Sequence, residues 1–222
     1  RGFELGVNTV NVEGKNFHWA SNIVFSLNRN KIKHLFGDFE EVEIDGKVVR
    51  REVSDISNKW FIGQAIDRVW DYDIIGVWQE HEAEEAKKYG LSPGDYKAVD
   101  VNGDGVYSTL VDKQFIGWRQ PRYRIGFRNE FTFLKNFFAS VFIRADLGHI
   151  TDIAAFRHTS ANLYDRLGIR AVPYWTRQNA SNKYGSLTAS SAPYSGGYGI
   201  YFSRSFVRVQ DLTLSYNLPD AV

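Results

Sequence analysis

The feature that most restricts this chain is a long alternating ribbon over residues 122–147. Tyr123, Ile125, Phe127, Phe131 and Phe133 fall on one parity, and Arg122, Arg124, Arg128, Glu130 and Thr132 on the other. After a turn at Leu134-Lys135-Asn136, the odd positions read Phe137, Ala139, Val141, Ile143, Ala145, Leu147; the even ones read Phe138, Ser140, Phe142, Arg144, Asp146. Side chains alternate across a strand with period two, so this is a hairpin with one apolar and one mainly charged face. Each arm is about twice the mean strand length of roughly 5–6 residues. Such arms suit a membrane barrel, whose tilted strands need about 9–11 residues to cross.

A second ribbon precedes it. Residues 3–12 and 17–28 form two arms around the turn Glu13-Gly14-Lys15-Asn16. Phe17, Trp19, Ile23, Phe25 and Leu27 take one parity of the second arm, and His18, Asn22, Ser26 and Asn28 the other. In both hairpins aromatic residues crowd the turn, where a membrane barrel places its aromatic girdle. A last strand spans 204–218, with Phe206, Leu212, Leu214, Tyr216 and Leu218 on one parity. The competing architecture is a soluble antiparallel sandwich with one buried face.

Composition narrows the function classes. No segment reaches the roughly 20 apolar residues of a transmembrane helix. The net charge of +1 gives no electrostatic case for nucleic acid. Cysteine is absent, which removes disulfides, thiolate metal sites and thiol nucleophiles. The chain opens within a strand and stops just past another, and the expectation is a fragment of a larger sheet.

Residues 30–120 and 148–204 have a different character. Asp45-Gly46, flanked by Val42, Ile44, Val48 and Val49, predicts a small hairpin. Residues 60–78 are rich in β-branched and aromatic residues and read as extended. Residues 80–89 (EHEAEEAKKY) predict the one helix, with acidic residues early, lysines late and Gly90 as its stop. Ser92-Pro93-Gly94-Asp95 is a turn. Residues 148–204 carry weak periodicity and many Ser, Asn, Gly and Tyr. Long loops of this kind are usually functional.

The sharpest chemical motif is Asp100-Val101-Asn102-Gly103-Asp104-Gly105. Oxygen ligands at positions 1, 3 and 5 with glycine at 6 match the first half of a calcium loop. Val106 would offer its backbone carbonyl at position 7. Position 12 is Val111, and the carboxylate, Asp112, comes one residue late. The candidate Ca²⁺ ligands are therefore Asp100, Asn102, Asp104, Val106 and Asp112, with a role in pinning the loop. The alternative is a pair of Asn-Gly and Asp-Gly turns closed without metal.

Support for catalysis is thin. His18, His34, His81, His149 and His158 lack metal-ligand spacing, and no nucleophile elbow or phosphate loop occurs. The reading is that the chain is not an enzyme. Trp70, Tyr72 and Trp78, with Tyr174 and Trp175 further on, are candidate substrate-stacking residues, against the alternative of an ordinary strand face.

The order of these pieces resembles the barrel of SusC/RagA-type TonB-dependent outer-membrane transporters. Gly2-Phe3-Glu4-Leu5 is similar to the family's G-hydrophobic-E-L strand, and Leu27-Asn28-Arg29-Asn30-Lys31-Ile32 to its N-x-N-K-V strand end. Ile62-Gly63-Gln64-Ala65 and the stretch from Asp71 to Gln79 resemble G-x-P-I … G-Y … D-G-I-F-Q. Pro93-Gly94-Asp95, the Asp100 motif and Asp112-Lys113-Gln114-Phe115-Ile116-Gly117 resemble P-G-D … D-x-N-G-D-G … D-x-x-x-I-G. Tyr174-Trp175-Thr176 with Asn179 and Asn182 resembles W-T-x-E-N-P-x-N, and residues 205–219 resemble S-F-L-R-L-K-N-V-T-L-G-Y-x-L-P. The chain departs from the pattern at Ala65, at Ile74-Ile75, at Ala180 and by one inserted residue before Asp112.

The resemblance implies an all-β fold: part of an antiparallel transmembrane β-barrel with short periplasmic turns and long extracellular loops holding one short helix. It implies that the plug domain lies outside residues 1–222. The implied setting is the outer membrane of a diderm bacterium. There the transporter takes up oligosaccharides or peptides with a SusD-like surface lipoprotein, driven by a TonB-type coupling protein and embedded in outer-membrane lipid. The runner-up is a secreted, calcium-stabilised, carbohydrate-binding β-sandwich.

Overall fold

The computed structural model describes residues 1–156 and 171–218. His158 and Pro219 lie outside the described residues. In chain order the strands are β1 (Gly2–Glu13), β2 (Phe17–Asn28), β3 (Phe39–Ile44), β4 (Lys47–Glu52), β5 (Arg68–Tyr72), β6 (Ile74–Val77) and β7 (Tyr96–Ala98). They continue with β8 (Lys113–Trp118), β9 (Tyr123–Phe133), β10 (Phe137–Leu147), β11 (Ile150–Asp152), β12 (Tyr201–Ser203) and β13 (Phe206–Tyr216). Helices α1 (Ala83–Lys88) and α2 (Thr109–Asp112) are short. No helix among the described residues is long and apolar enough to cross a membrane.

The chain divides into two compact units. The first holds residues 1–67, 118–149 and 204–222, and is built on one sheet in the order β1-β2-β9-β10-β13. Every neighbouring pair is antiparallel, and the strands run 11 or 12 residues. The two ribbons read from sequence are thus adjacent hairpins, joined edge to edge by β2 and β9, with the last strand on β10. Phe17 pairs with Phe133, and Phe133 with Phe137, so the crowded aromatics lie in one row.

The turn residues explain the hairpin ends. Asp45 and Gly46 both have positive φ, 51° and 73°, as a two-residue turn matching strand twist requires. Leu134 and Lys135 also have positive φ, 51° and 66°, without being glycine. Their turn is tied to its neighbours: Leu134 N–H donates to the Asn16 carbonyl at 3.1 Å, and Asn217 N–H to the Asn136 carbonyl at 2.9 Å. Two of the motifs that resemble the transporter family meet here as well. Ile32 N–H donates to the Gln64 carbonyl and Gly63 N–H to the Ile32 carbonyl, at 2.8 and 2.9 Å.

The second unit holds residues 68–117 and 150–203. Its strands form three two-stranded sheets, β5-β8, β6-β7 and β11-β12. The largest fully buried side chains among the described residues are Trp78, Tyr72, Tyr96, Val69, Val77 and Asp112, and all six belong to this unit. The segments with weak periodicity therefore carry a packed core, while the ribbons with clean periodicity do not. Two expectations change. The extended reading of 60–78 gives way to a bridge between Asp55 and Trp60, turns, and then β5 and β6. The predicted helix at 80–89 splits into a 3-10 turn (Glu80–Glu82) and α1, stopped at Gly90 with φ 70°.

The sandwich reading fails on packing. A sandwich needs a second sheet across the apolar face. The other sheets among the described residues are two-stranded, and Phe3, Leu5, Leu212 and Leu214 remain 51, 48, 78 and 71% exposed. The five-stranded sheet is an open section of barrel wall.

Candidate functional site

The odd-parity face of the sheet is an apolar band with an aromatic row at each end. Near the turns, Phe131 lies 6.4 Å from Phe17 and 5.9 Å from Trp19, Phe133 is 5.4 Å from Phe137, and Phe137 is 4.7 Å from Tyr216. At the opposite end Phe25 lies 6.2 Å from both Phe3 and Tyr123. At about 3.4 Å per residue, β9 runs about 27 Å from Tyr123 to Phe131. A tilt of about 40° projects that to about 21 Å, close to the roughly 25 Å apolar band of outer-membrane barrels.

One polar chain crosses this band. The Thr9 hydroxyl donates to Asn11 Oδ1 at 3.0 Å, and Asn11 Nδ2 donates to Ser21 Oγ at 2.6 Å. Ser21 Oγ and Trp19 Nε1 both donate to Asn129 Oδ1, at 2.7 and 3.0 Å. Beside hydrocarbon an unmet polar group costs several kcal/mol, so these side chains satisfy one another. Sequence reasoning passed over them. The signal was present as gaps at 21 and 129 in two otherwise apolar parities.

The even-parity face is polar. Asn22 Nδ2 donates to Asn8 Oδ1 at 2.5 Å, and the Arg128 guanidinium lies 5.0 Å from the centre of the Phe142 ring. On this face Arg144 and Asp146 form an ion pair at 2.8 Å. Arg144 stands opposite Gly126 and Arg208, and Arg128 opposite Asn22 and Phe142; Asp146 stands opposite Arg124 but pairs with Arg144 on its own strand.

In the second unit four of the five candidate stacking residues are core. Tyr72 is completely buried, and Trp70, Trp78 and Trp175 are nearly so. Tyr174 is half-buried. Tyr107 stacks on Tyr194 at 4.7 Å and on Tyr89 at 4.8 Å, while Tyr72 meets Tyr194 edge-on at 5.3 Å. Burial pushes the Tyr107 hydroxyl up to about 12, and that hydroxyl donates to the Ala98 carbonyl. The ordinary buried-strand reading therefore holds for Trp70, Tyr72 and Trp78: their rings face other side chains, not an open surface.

The motif residues build this core. Gly94 has φ 96°, donates to the Trp78 carbonyl at 2.8 Å, and lies so close under the Trp175 ring that a Cβ would sit 2.6 Å from it. Asp95 accepts from Ser92 N–H at 2.8 Å and Ser190 N–H at 2.6 Å, while burial raises its carboxyl above the usual range. Trp175 Nε1 donates to Gln79 Oε1 at 3.1 Å, and Asn182 Oδ1 accepts from Val77 N–H at 2.9 Å. The Pro-Gly-Asp, Trp-Gln and Trp-Thr pieces are thus one interlocked structure.

The Asp100 loop separates the five candidate ligands. Asp100 accepts from Gly103 N–H at 2.7 Å, Gly105 N–H at 2.9 Å and the Tyr89 hydroxyl at 3.2 Å. Asp104 accepts from Val106 N–H and from Asn102 Nδ2, both at 2.8 Å. Asp112 is fully buried instead, with its two oxygens accepting Val101 N–H at 2.9 Å and Ser108 N–H at 2.6 Å. It clamps the two ends of the loop together and is not free to complete a ligand shell. Among the described residues no three His, Cys, Asp or Glu side chains converge at metal-binding spacing. A cation would have to be held by the remaining lone pairs of Asp100 and Asp104, Asn102 Oδ1 and the Val106 carbonyl.

Comparison with known proteins agrees with this architecture. No family model matches the chain. It is 27% identical over 228 residues to TonB-dependent receptor P3 of Formosa agariphila, a match covering 100% of this chain and 22% of that protein. The chain is similar to TonB-dependent receptors over its whole length. TonB-dependent receptor P26 of the same organism is also 27% identical, over 99% of this chain and 22% of its own length. The chain thus spans less than a quarter of the receptors it matches. Solved structures of the RagAB peptide transporter, and of the RagAB peptide importer in its closed-closed state, superpose with TM-scores of 0.60 and 0.63. Their identities are 16 and 17%, over 99% of this chain and 23% of theirs, so they share its fold. The matches to the receptors and to these structures run along the whole chain.

Proposed function

We propose that this chain forms part of the barrel wall of an outer-membrane importer, driven through a TonB-type coupler, that takes up oligosaccharides or peptides with a SusD-like surface lipoprotein. The observation that carries the proposal is the five-stranded sheet, with strands of 11 or 12 residues and an apolar, exposed face bounded by aromatic rows. Such a face is stable against lipid and a liability in water. Its polar opposite face lines the lumen, and the role is transport, not catalysis. Calcium in the Asp100 loop belongs to the same proposal, as a pin on loop geometry held by Asp100, Asn102 and Asp104.

Uptake by cells carrying the full-length protein and its lipoprotein tests the proposal. Labelled oligosaccharide or peptide should accumulate only while the inner-membrane coupler is energised. No uptake or binding of either class in the presence of the lipoprotein would overturn it. For the cation, equal calcium affinity of the parent and of Asp100→Ala by calorimetry would remove Asp100 as a ligand.

A further inference from the structure

A depression of about 420 Å³ opens on the even-parity face of the five-stranded sheet, within the first unit. Arg124, Arg128 and Arg144 line it, and Asp146 is the one carboxylate among the described residues that do so. Register places all three arginines around Gly126. Arg124 and Arg128 flank it on β9, each about 7 Å away along the strand. Arg144 stands directly opposite it on β10, at about 5 Å. Gly126 carries no side chain, so the centre of this triangle is open. The Phe142 ring borders it: a Cβ on Gly126 would lie 3.2 Å from Phe142 Cε2. The same ring carries Arg128, whose guanidinium lies 5.0 Å from the ring centre. Asp146 is already engaged, since Arg144 Nε and Nη2 donate to its two oxygens at 3.2 and 2.8 Å. Arg124 stands across from that carboxylate on the neighbouring strand.

Three guanidiniums and one carboxylate leave two positive charges in this depression. An anion that enters it meets charge-assisted N–H donors from two strands. A planar carboxylate presents two oxygens in one plane and is satisfied by a single guanidinium, as Asp146 is by Arg144. A tetrahedral oxyanion presents oxygens in several directions and carries up to two charges, which suits donors arranged around a glycine. We propose that this depression is a binding site for a tetrahedral oxyanion, sulfate or phosphate, as the free ion or as a terminal ester. Arg124 and Arg128 hold it from either side of Gly126, and Arg144, fixed by Asp146, supplies the third side. The site is formed by one sheet and stands whether or not the chain transports.

Calorimetric titration of the full-length protein in detergent tests the site, with sulfate, phosphate, phenyl phosphate and acetate compared at equal ionic strength in low chloride. Sulfate and phosphate should bind, and acetate about tenfold or more weaker. Arg124→Gln and Arg128→Gln should each weaken sulfate by about tenfold, as expected of one charge-assisted hydrogen bond lost. Phenyl phosphate separates the two sources of the group. Binding as tight as phosphate assigns the site to an ester on a larger molecule, and its exclusion while phosphate binds assigns it to the free ion. Sulfate should also raise the unfolding midpoint of the parent more than that of the double variant, because only the parent gains binding beyond the general salt effect. Equal affinity for sulfate and acetate overturns the proposal without requiring any variant to fold. So does a folded double variant that binds sulfate as tightly as the parent.

Discussion

Ser21 and Asn129 face each other across β2 and β9, and the Ser21 hydroxyl donates to Asn129 Oδ1 at 2.7 Å. These are the two positions at which the apolar parities of their strands break. Each strand taken alone shows only a missing hydrophobe; the register makes the two gaps one hydrogen-bonded pair, with Trp19 and Asn11 attached.

Asn129→Val should therefore be costly by itself, because it orphans the Trp19 indole N–H and the Ser21 hydroxyl. The expected loss is about 1–3 kcal/mol. Adding Ser21→Val removes the unmet hydroxyl donor but takes the acceptor from Asn11 Nδ2, so the double variant should lose less than the sum of the two single losses. Denaturant titration of the full-length protein in detergent reads both; additive losses would show that the pair is not coupled.

The buried pair in the second unit should behave in the same sense and more strongly. Lys113 Nζ lies 3.2 Å from Asp71 and donates to the Gly197 carbonyl at 2.9 Å, and both side chains are almost fully enclosed. Lys113→Met takes the cation from the Asp71 carboxylate and leaves it the Tyr201 hydroxyl, at 2.9 Å, and the Tyr72 N–H, at 3.0 Å. The expected cost is about 3–5 kcal/mol. Lys113→Met with Asp71→Leu should be milder than Lys113→Met alone, measured as thermal unfolding of the second unit.

Acid should loosen the Asp100 loop. Burial raises the Asp100 carboxyl, but N–H donation from Gly105 and Gly103 and the Tyr89 hydroxyl outweigh it, leaving the group below its ordinary 3.8. Its folded value is therefore the depressed one. The stabilisation is present above pH 3.8 and is lost as pH falls through the lower folded value. The protection of the Gly103 and Gly105 amides, taken relative to their intrinsic exchange rate at each pH, should fall in that window, and Asp100→Asn should remove that acid dependence. A loop whose protection is unchanged by pH there would contradict the assignment.

Gly94→Ala should damage the second unit. The backbone is at φ 96°, and a methyl group would enter the space of the Trp175 ring. The backbone term alone is about 1–2 kcal/mol, and the ring must also shift. Lys135→Gly should act in the opposite sense by relieving a left-handed lysine in an exposed turn. Unfolding midpoints of the two variants should move in opposite directions.

Much of the sheet was legible because period-two alternation is a local property. The arms, the turns at residues 14–16 and 134–136, and the Asp45-Gly46 hairpin all stand where the pattern put them. The second unit was not legible in that way. Its strands are 3 to 6 residues long, too short to establish a period, and its core is assembled from segments as distant as Tyr72 and Tyr194. Trp70, Tyr72, Trp78 and Trp175 looked like a stacking surface because sequence reports that an aromatic is present, not which side of it is covered. Asp112 looked like a late ligand because its spacing is visible and its two N–H donors are not.

The sequence by itself determined that the chain makes long two-faced hairpins with aromatic ends, since side-chain parity and turn chemistry act between near neighbours. Only the tertiary structure decided which strands are adjacent, that residues 21 and 129 complete each other, and that Asp112 closes a loop. Those outcomes depend on register and burial between residues far apart in the chain, which no local pattern encodes.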